Sequence, residues 1–251
     1  MPLLILFMAH TLFISDLHLS TKKPRITQLF LHFMQHTAPR AEALYVLGDL
    51  FEYWAGDDDL DDPFHQQIIQ SLHTLATSGT RLFIMHGNRD FLMAEKLTKA
   101  CHATLLADPT LLELYGIPTL LTHGDTLCTD DADYQGYRSQ VQAPAWQQQF
   151  LAQPLAQRKS LIEQMRTHSE NEKLHKGSDL MDVNDAAVAN LLREYGFPRL
   201  IHGHTHRLMR HLHTVDDHDC ERWVLGDWRE TGNALRCDAN GCGWETIAIR
   251  I

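Results

Sequence analysis

The run Ala43-Leu-Tyr-Val-Leu47, broken at once by Gly48-Asp49-Leu-Phe-Glu52, decides the fold. A short, wholly apolar run with no polar alternation reads as a strand buried on both faces. A glycine turn at its end then delivers a carboxylate. The same design recurs on either side. Upstream, Thr11-Leu-Phe-Ile14 leads to Asp16-Leu-His18. Downstream, Arg81-Leu-Phe-Ile-Met85 leads to Gly87-Asn-Arg-Asp90, Thr119-Leu-Leu-Thr122 to His123-Gly-Asp125, and Arg199-Leu-Ile201 to Gly203-His-Thr-His206. Short buried strands alternating with helical periods predict an α/β layered fold. Because ligands of open α/β sheets gather where strands end, these five endings are expected to meet at one edge of one sheet.

The intervening helices are predicted at Pro24 to Ala38, with Ile26, Leu29, Phe30 and Phe33 on one face, and at Pro63 to Thr77. A third runs from Asn184, its N-cap, to Tyr195, with Gly196 as its stop. Beyond His206, Arg222 to Gly226, Ala234 to Cys237 and Thr246 to Arg250 are expected to form a closing sheet. Residues 134–177 leave the alternation, being polar, Gln-rich and broken by Pro144 and Pro154. They are predicted to be a helical lid inserted between two parts of the core, 8–133 and 178–251. Its apolar residues, Trp146, Phe150, Leu161 and Met165 among them, are interspersed with Arg158, Lys159, Arg166, Lys173 and Lys176. The default expectation is apolar faces on the core and basic faces in solvent.

The 251 residues are 44% hydrophobic and 22% charged, which suits one α/β domain carrying an insertion. A formal net charge of −10 argues against bulk nucleic-acid binding and leaves any phosphate ligand to local cations or metal. Five cysteines without CxxC spacing indicate neither a disulfide framework nor a thiolate zinc site, so a reducing cytoplasm is expected. The apolar opening lacks a basic flank, so it does not read as a signal peptide, and Met8 suggests that residues 1–7 are an upstream extension. No run is long enough to cross a bilayer; membrane contact is expected to be peripheral.

Each strand ending has an ordinary explanation when taken alone, since an Asp or His there commonly caps a helix or closes a turn. Together they group Asp16, His18, Asp49, Asn88, His123, His204 and His206, hard or borderline N/O donors for which folding has no use. Seven donors exceed the needs of one zinc ion and suit two five- or six-coordinate ions that share a carboxylate. Imidazole with carboxylate, and no thiolate, selects manganese, iron or zinc over calcium or copper(I).

In this order, Asp-x-His, Gly-Asp, Gly-Asn-Arg-Asp, His-Gly-Asp and Gly-His-Thr-His resemble the calcineurin-like metallophosphoesterase family over most of the chain. The resemblance implies a layered sandwich of two β-sheets flanked by helices, a hydrolytic activity and two Mn2+ ions, with Fe or Zn as alternatives. It implies Asp16, His18, Asp49 and His206 on the first ion, Asp49, Asn88, His123 and His204 on the second, and Asp49 as bridge. Where the wider family carries a histidine after Gly-Asn, this chain has Arg89, a fixed cation in place of a titrating acid. That arginine, with His86-Gly-Asn-Arg-Asp-Phe91 and Leu121-Thr-His-Gly-Asp-Thr-Leu-Cys-Thr-Asp-Asp131, is similar to the subgroup that cleaves the pyrophosphate of UDP-2,3-diacylglucosamine in lipid A synthesis.

The subgroup resemblance implies Asn88, Arg89 and His123 as catalytic residues, and substrate contacts from Asn88, Arg89, Asp131, Ser169, Lys173, Lys176 and His204. Tyr134 is placed to stack on or bond the same substrate. His86 and His202 read as histidines that bond behind the ligands, and Asp90 and Asp125 as carboxylates that orient ligand imidazoles. The implied location is the cytoplasmic face of the inner membrane, touched peripherally, with no obligate protein partner. A nuclease or other phosphodiesterase of the same fold, and a non-catalytic scaffold, are the competing readings. Net charge weighs against the nuclease, and the intact ligand set weighs against the scaffold.

Overall fold

The computed structural model describes residues 9–173 and 182–249, so the apolar opening and Lys176 lie outside the described residues. The chain runs β1 (His10–Ile14), α1 (Pro24–His36), β2 (Ala43–Leu47), α2 (Pro63–Thr77), β3 (Arg81–Met85), α3 (Glu95–Cys101), β4 (Ala103–Leu106), β5 (Thr110–Leu114) and β6 (Ile117–Thr122). Three helices follow: α4 (Ala132–Gln142), α5 (Pro144–Leu151) and α6 (Leu155–Lys173). The remainder is α7 (Asp185–Glu194), β7 (Arg199–His202), β8 (Met209–Val215), β9 (His218–Val224), β10 (Gly232–Asp238) and β11 (Gly241–Ile247).

Local signals set the helix starts. Pro24 and Pro63 occupy first-turn positions where a missing N–H costs nothing. Asp62 accepts the Phe64 N–H at 2.9 Å, and Asn184 accepts that of Ala187 at 3.0 Å.

The five endings do not share a sheet, which corrects the expectation of a single edge. One sheet has the order β11-β10-β1-β2-β3-β4 and the other β5-β6-β7-β9-β8. Strand β2 shows why two layers form. Its Leu44 and Val46 pack with Leu29, Phe30, Phe33 and Leu72 beneath the helices, while Ala43, Tyr45 and Leu47 meet Leu121, Ile201 and Trp223 between the sheets. Period-2 alternation thus feeds two cores at once, and each fully buried Leu or Phe contributes roughly 1.5–3 kcal/mol. A third cluster joins Leu120 and Leu200 to Val188 and Leu192 of α7. The architecture is helices, sheet, sheet, helix.

Two further expectations fail. The last strand occupies Gly241–Ile247 instead of Thr246–Arg250, because a turn at Ala239-Asn240 sets its register against β10. Cys237 and Cys242 face each other across that hairpin, Cα atoms 4.1 Å apart, and form a disulfide. Register brings the thiols together, and five-residue spacing carries no motif to announce it.

Helices α4–α6 bury Phe150 and pack Trp146, Leu161, Ile162 and Met165 on the helix-side core. The solvated basic face fails for Arg158, which is 1% exposed. Its guanidinium donates to the carbonyls of Gln153 and Ala55 and to the Asp58 carboxylate. Lys159 reaches Asp59 at 2.7 Å and Arg166 reaches Glu52 at 3.1 Å. The run of acids at 57–62 therefore receives α6.

Candidate metal centre

Five of the seven anticipated ligands sit in the left-handed region: Asp16 (φ 55°), His18 (49°), Asp49 (53°), His204 (66°) and His206 (59°). Such a conformation costs a non-glycine residue about 1–3 kcal/mol and clusters where function over-determines the backbone. Here each strand must turn sharply at its end to aim a side chain into the cleft between the sheets. Backbone bonds hold the turns, His18 N–H to Asp49 O at 2.9 Å and Gly203 N–H to His123 O at 3.0 Å among them. Gly203 has no substitute, since a Cβ there would strike Ser15 Oγ and the Asp16 carboxylate.

Asp16, His18, Asp49 and Asn88 arrive from the first sheet, and His123, His204 and His206 from the second. Asp49 Oδ2 stands 3.8 Å from His18 Nδ1 and 3.8 Å from His123 Nε2. That is too far for a hydrogen bond. At metal–ligand lengths of about 2.0–2.2 Å, it fits donors sharing an ion. On one flank His206 Nε2 lies 3.3 Å from Asp16 Oδ1 and 3.4 Å from His18 Nε2. On the other, Asn88 Oδ1 is 3.1 Å from His123 Nε2 and 3.0 Å from His204 Nδ1. Asp16 Oδ1 and His18 Nδ1 are buried without a hydrogen bond of normal geometry. Orphaned donors of this kind, in a pure N/O set, fit divalent cations.

Burial pushes the Asp49 carboxyl up to about 7. Burial opposes charge on His123 as well, but the carboxylates of Asp49, Asp16 and Asp125 outweigh it and raise the imidazole to about 9. Without metal, His123 is thus an imidazolium. Its Nδ1–H donates to Leu47 O at 2.9 Å, and Nε2–H faces Asn88 Oδ1. The Leu47 bond fixes the ring so that Nε2 is the atom offered to a metal. Burial lowers His204 to about 3, which leaves a neutral imidazole able to coordinate.

Behind the ligands the structure redistributes the expected roles. Asp90 accepts the N–H groups of Gly87, Asp49 and Phe51, and Asp125 accepts Tyr134 O–H at 2.8 Å and Arg138 Nε–H at 2.6 Å. Neither orients an imidazole; both fix ligand loops. His202 Nδ1–H donates to Gly203 O, while Arg222 donates to its Nε2. His86 Nε2–H donates to Met93 O.

Tyr134 packs at 5.7 Å from the His204 ring, and Asp131 caps α4 by accepting the Tyr134 N–H. Ser169 and Lys173 lie on α6. Among the described residues the Arg89 guanidinium has no ion pair, while the Arg89 N–H holds Asp49 Oδ1 at 2.8 Å.

Asp227 was not anticipated, yet its Oδ2 lies 3.7 Å from His206 Nδ1. The signal was present: Leu225-Gly-Asp227 repeats the Leu47-Gly-Asp49 ending. Asp59, Asp62 and His65 also cluster, but Lys159 already supplies their cation.

Residues 9–208 match the model of the calcineurin-like phosphoesterase family. The chain is similar to a protein of Aromatoleum aromaticum named UDP-2,3-diacylglucosamine hydrolase, at 52% identity over 92% of this chain and 94% of that one. Proteins of the same name from Hahella chejuensis (50% identity; 92% and 94% covered) and Xanthomonas campestris (46%; 95% and 99%) are similar over comparable spans.

Proposed function

The chain belongs to the calcineurin-like phosphoesterase family, and from that premise we propose that it hydrolyses the pyrophosphate bond of UDP-2,3-diacylglucosamine. The observation that carries this reading is Asp49 Oδ2, equidistant at 3.8 Å from His18 on one flank and His123 on the other. Asp16, His18, Asp49 and His206 would hold one divalent ion and Asp49, Asn88, His123 and His204 a second, manganese being our choice over iron and zinc. When bound, such a pair supplies an activated water and clamps phosphoryl oxygens.

The chain's own residues do the rest. His123, steered by Leu47 O, and Asn88, set between two imidazoles, keep the donors in place. Arg89, its guanidinium unpaired among the described residues, binds the pyrophosphate through forked, charge-assisted hydrogen bonds and stabilises charge developing there. Attack falls on the α-phosphorus, giving UMP and 2,3-diacylglucosamine 1-phosphate. The leaving phosphate needs little protonation, so a fixed cation serves at position 89. Asp131, Tyr134, Ser169, Lys173, Lys176 and His204 are assigned to contacts with the substrate. Helices α4–α6, the described part of the expected lid, are assigned to the acyl chains.

Among the described residues no helix is long and apolar enough to cross a membrane. We assign peripheral contact with the cytoplasmic face of the inner membrane, where a diacylated substrate resides. A nuclease of the same fold is disfavoured by the net charge of −10. Release of UMP from UDP-2,3-diacylglucosamine by the manganese-supplemented protein, run beside an aryl phosphodiester, tests the reading. Turnover of the aryl ester with no UMP would defeat it.

A further inference from the structure

Leu200 and Cys220 turn the second sheet's outer face toward α7. Arg222 is the register partner of Leu200, His213 that of Cys220, and His202 lies two residues beyond Leu200, so period-2 alternation sets Arg222, His213 and His202 on that same face. Arg222 is 5% exposed and makes no ion pair among the described residues. Its Nε–H donates to His213 Nε2 at 3.0 Å, and its Nη1–H to His202 Nε2 at 3.2 Å. A buried cation whose acceptors are two imidazoles is an expensive core residue, since an apolar side chain of like size serves folding as well or better.

A guanidinium only donates, so His202 Nε2 must offer its lone pair and the ring proton must sit on Nδ1. From there it donates to Gly203 O at 2.9 Å. Were the proton on Nε2, that N–H would face the guanidinium and Nδ1 would turn a lone pair on a carbonyl, two repulsions at once. The ring stands between two turns that deliver ligands. Its Nδ1 lies 2.7 Å from where a Cβ on Gly124 would be, so the turn after His123 closes directly on it. Gly203 begins the turn that carries His204, and it is itself pressed against Ser15 and Asp16. We infer that Arg222 is a positioning residue for the metal centre: by fixing the His202 tautomer it holds the Gly203 carbonyl, and with it the turn that aims His204. The inference rests on the proposed centre, and Arg222 acts in it through His202.

The test reads the His202 ring nitrogens of the metal-free full chain by 15N NMR, assigned by their loss in His202→Asn, and measures zinc affinity by calorimetry. Wild type should show the Nδ1–H tautomer. Arg222→Gln ends where Nε stood, so it keeps the bond to His213 and loses the one to His202; Arg222→Met, which loses both, is the second variant. Each should let the proton move toward Nε2 and weaken zinc binding about tenfold or more. An asparagine at 202 puts an amide donor where Nδ1–H stood and has no tautomer to control. In the His202→Asn background the same Arg222 changes should therefore alter zinc affinity by less than about twofold. An Nε2–H tautomer in wild type, unchanged zinc affinity in the Arg222 variants, or equal losses in both backgrounds, the mark of a merely structural arginine, overturns the inference. A wild type that shows the Nδ1–H tautomer yet takes up no zinc would instead remove the metal centre itself, and the positioning role with it.

Discussion

At the scale of single residues, the ligand pocket holds protons that a cation must displace. Asp49, raised to about 7 by burial, is half protonated near neutrality, and His123, raised to about 9 by its carboxylate neighbours against burial, carries a proton there. Metal affinity should therefore climb as pH rises through about 7 and on to about 9, by up to about a hundredfold per pH unit while both protons leave, and flatten above. Calorimetric titration in buffers of different ionisation enthalpy would count the protons released; affinity independent of pH would contradict the assignment. Gly203→Ala should cost several-fold in metal affinity and lower the melting temperature, because the new methyl displaces Asp16. Residue types made the candidate ligands legible only as a group, since one Asp or His after a strand has ordinary uses and seven such donors after five strands do not. What Asp90 and Asp125 do was not legible. Their partners are backbone amides, a tyrosine and an arginine brought together by loop geometry that side-chain identity does not encode.

At the scale of elements, the inserted helices are anchored through one buried cation. Arg158 donates to two carbonyls and a carboxylate, while Gly56, at φ 127°, leaves the space its guanidinium occupies. Arg158→Met removes three acceptors' partner from a dry site and should destabilise the protein by about 2–4 kcal/mol in urea unfolding. Asp58→Asn should cost less than about 1 kcal/mol, because that carboxylate is half exposed and screened. If the two variants cost the same, the carbonyl bonds to Arg158 contribute nothing. The anchor matters to the site because Trp54, next to Ala55, donates its backbone N–H to Arg89 O at 3.2 Å. Elements with strong periodicity were readable to the residue, as with Ala43–Leu47 and Pro63–Thr77. Strand β8, Met209-Arg-His-Leu-His-Thr-Val215, was missed because an edge strand needs little apolar burial and so leaves a weak pattern.

At the scale of the whole molecule, the proposed centre would fasten together two sheets that pack on each other through side chains such as Tyr45, Leu121 and Ile201. If ions are held, as proposed, by Asp16, His18, Asp49 and Asn88 from one sheet and by His123, His204 and His206 from the other, they bind the folded state alone, since unfolding scatters donors nearly the length of the chain apart. At a metal concentration a hundred times its dissociation constant, each ion then adds about 2.7 kcal/mol, or about 5–10 °C in melting temperature for a chain of this size. The gap between metal-loaded and chelated protein should widen with pH. In the chelated fold Asp49 and His123 both sit above their ordinary values, so the stability their protons lend is lost as pH rises through about 7 and about 9. In the loaded fold those protons are already gone. Thermal melts at about pH 6 and about pH 9, with manganese and with chelator, would show it. Parallel curves, or a gap that narrows toward alkaline pH, would mean that the seven residues do not share ions across the two sheets.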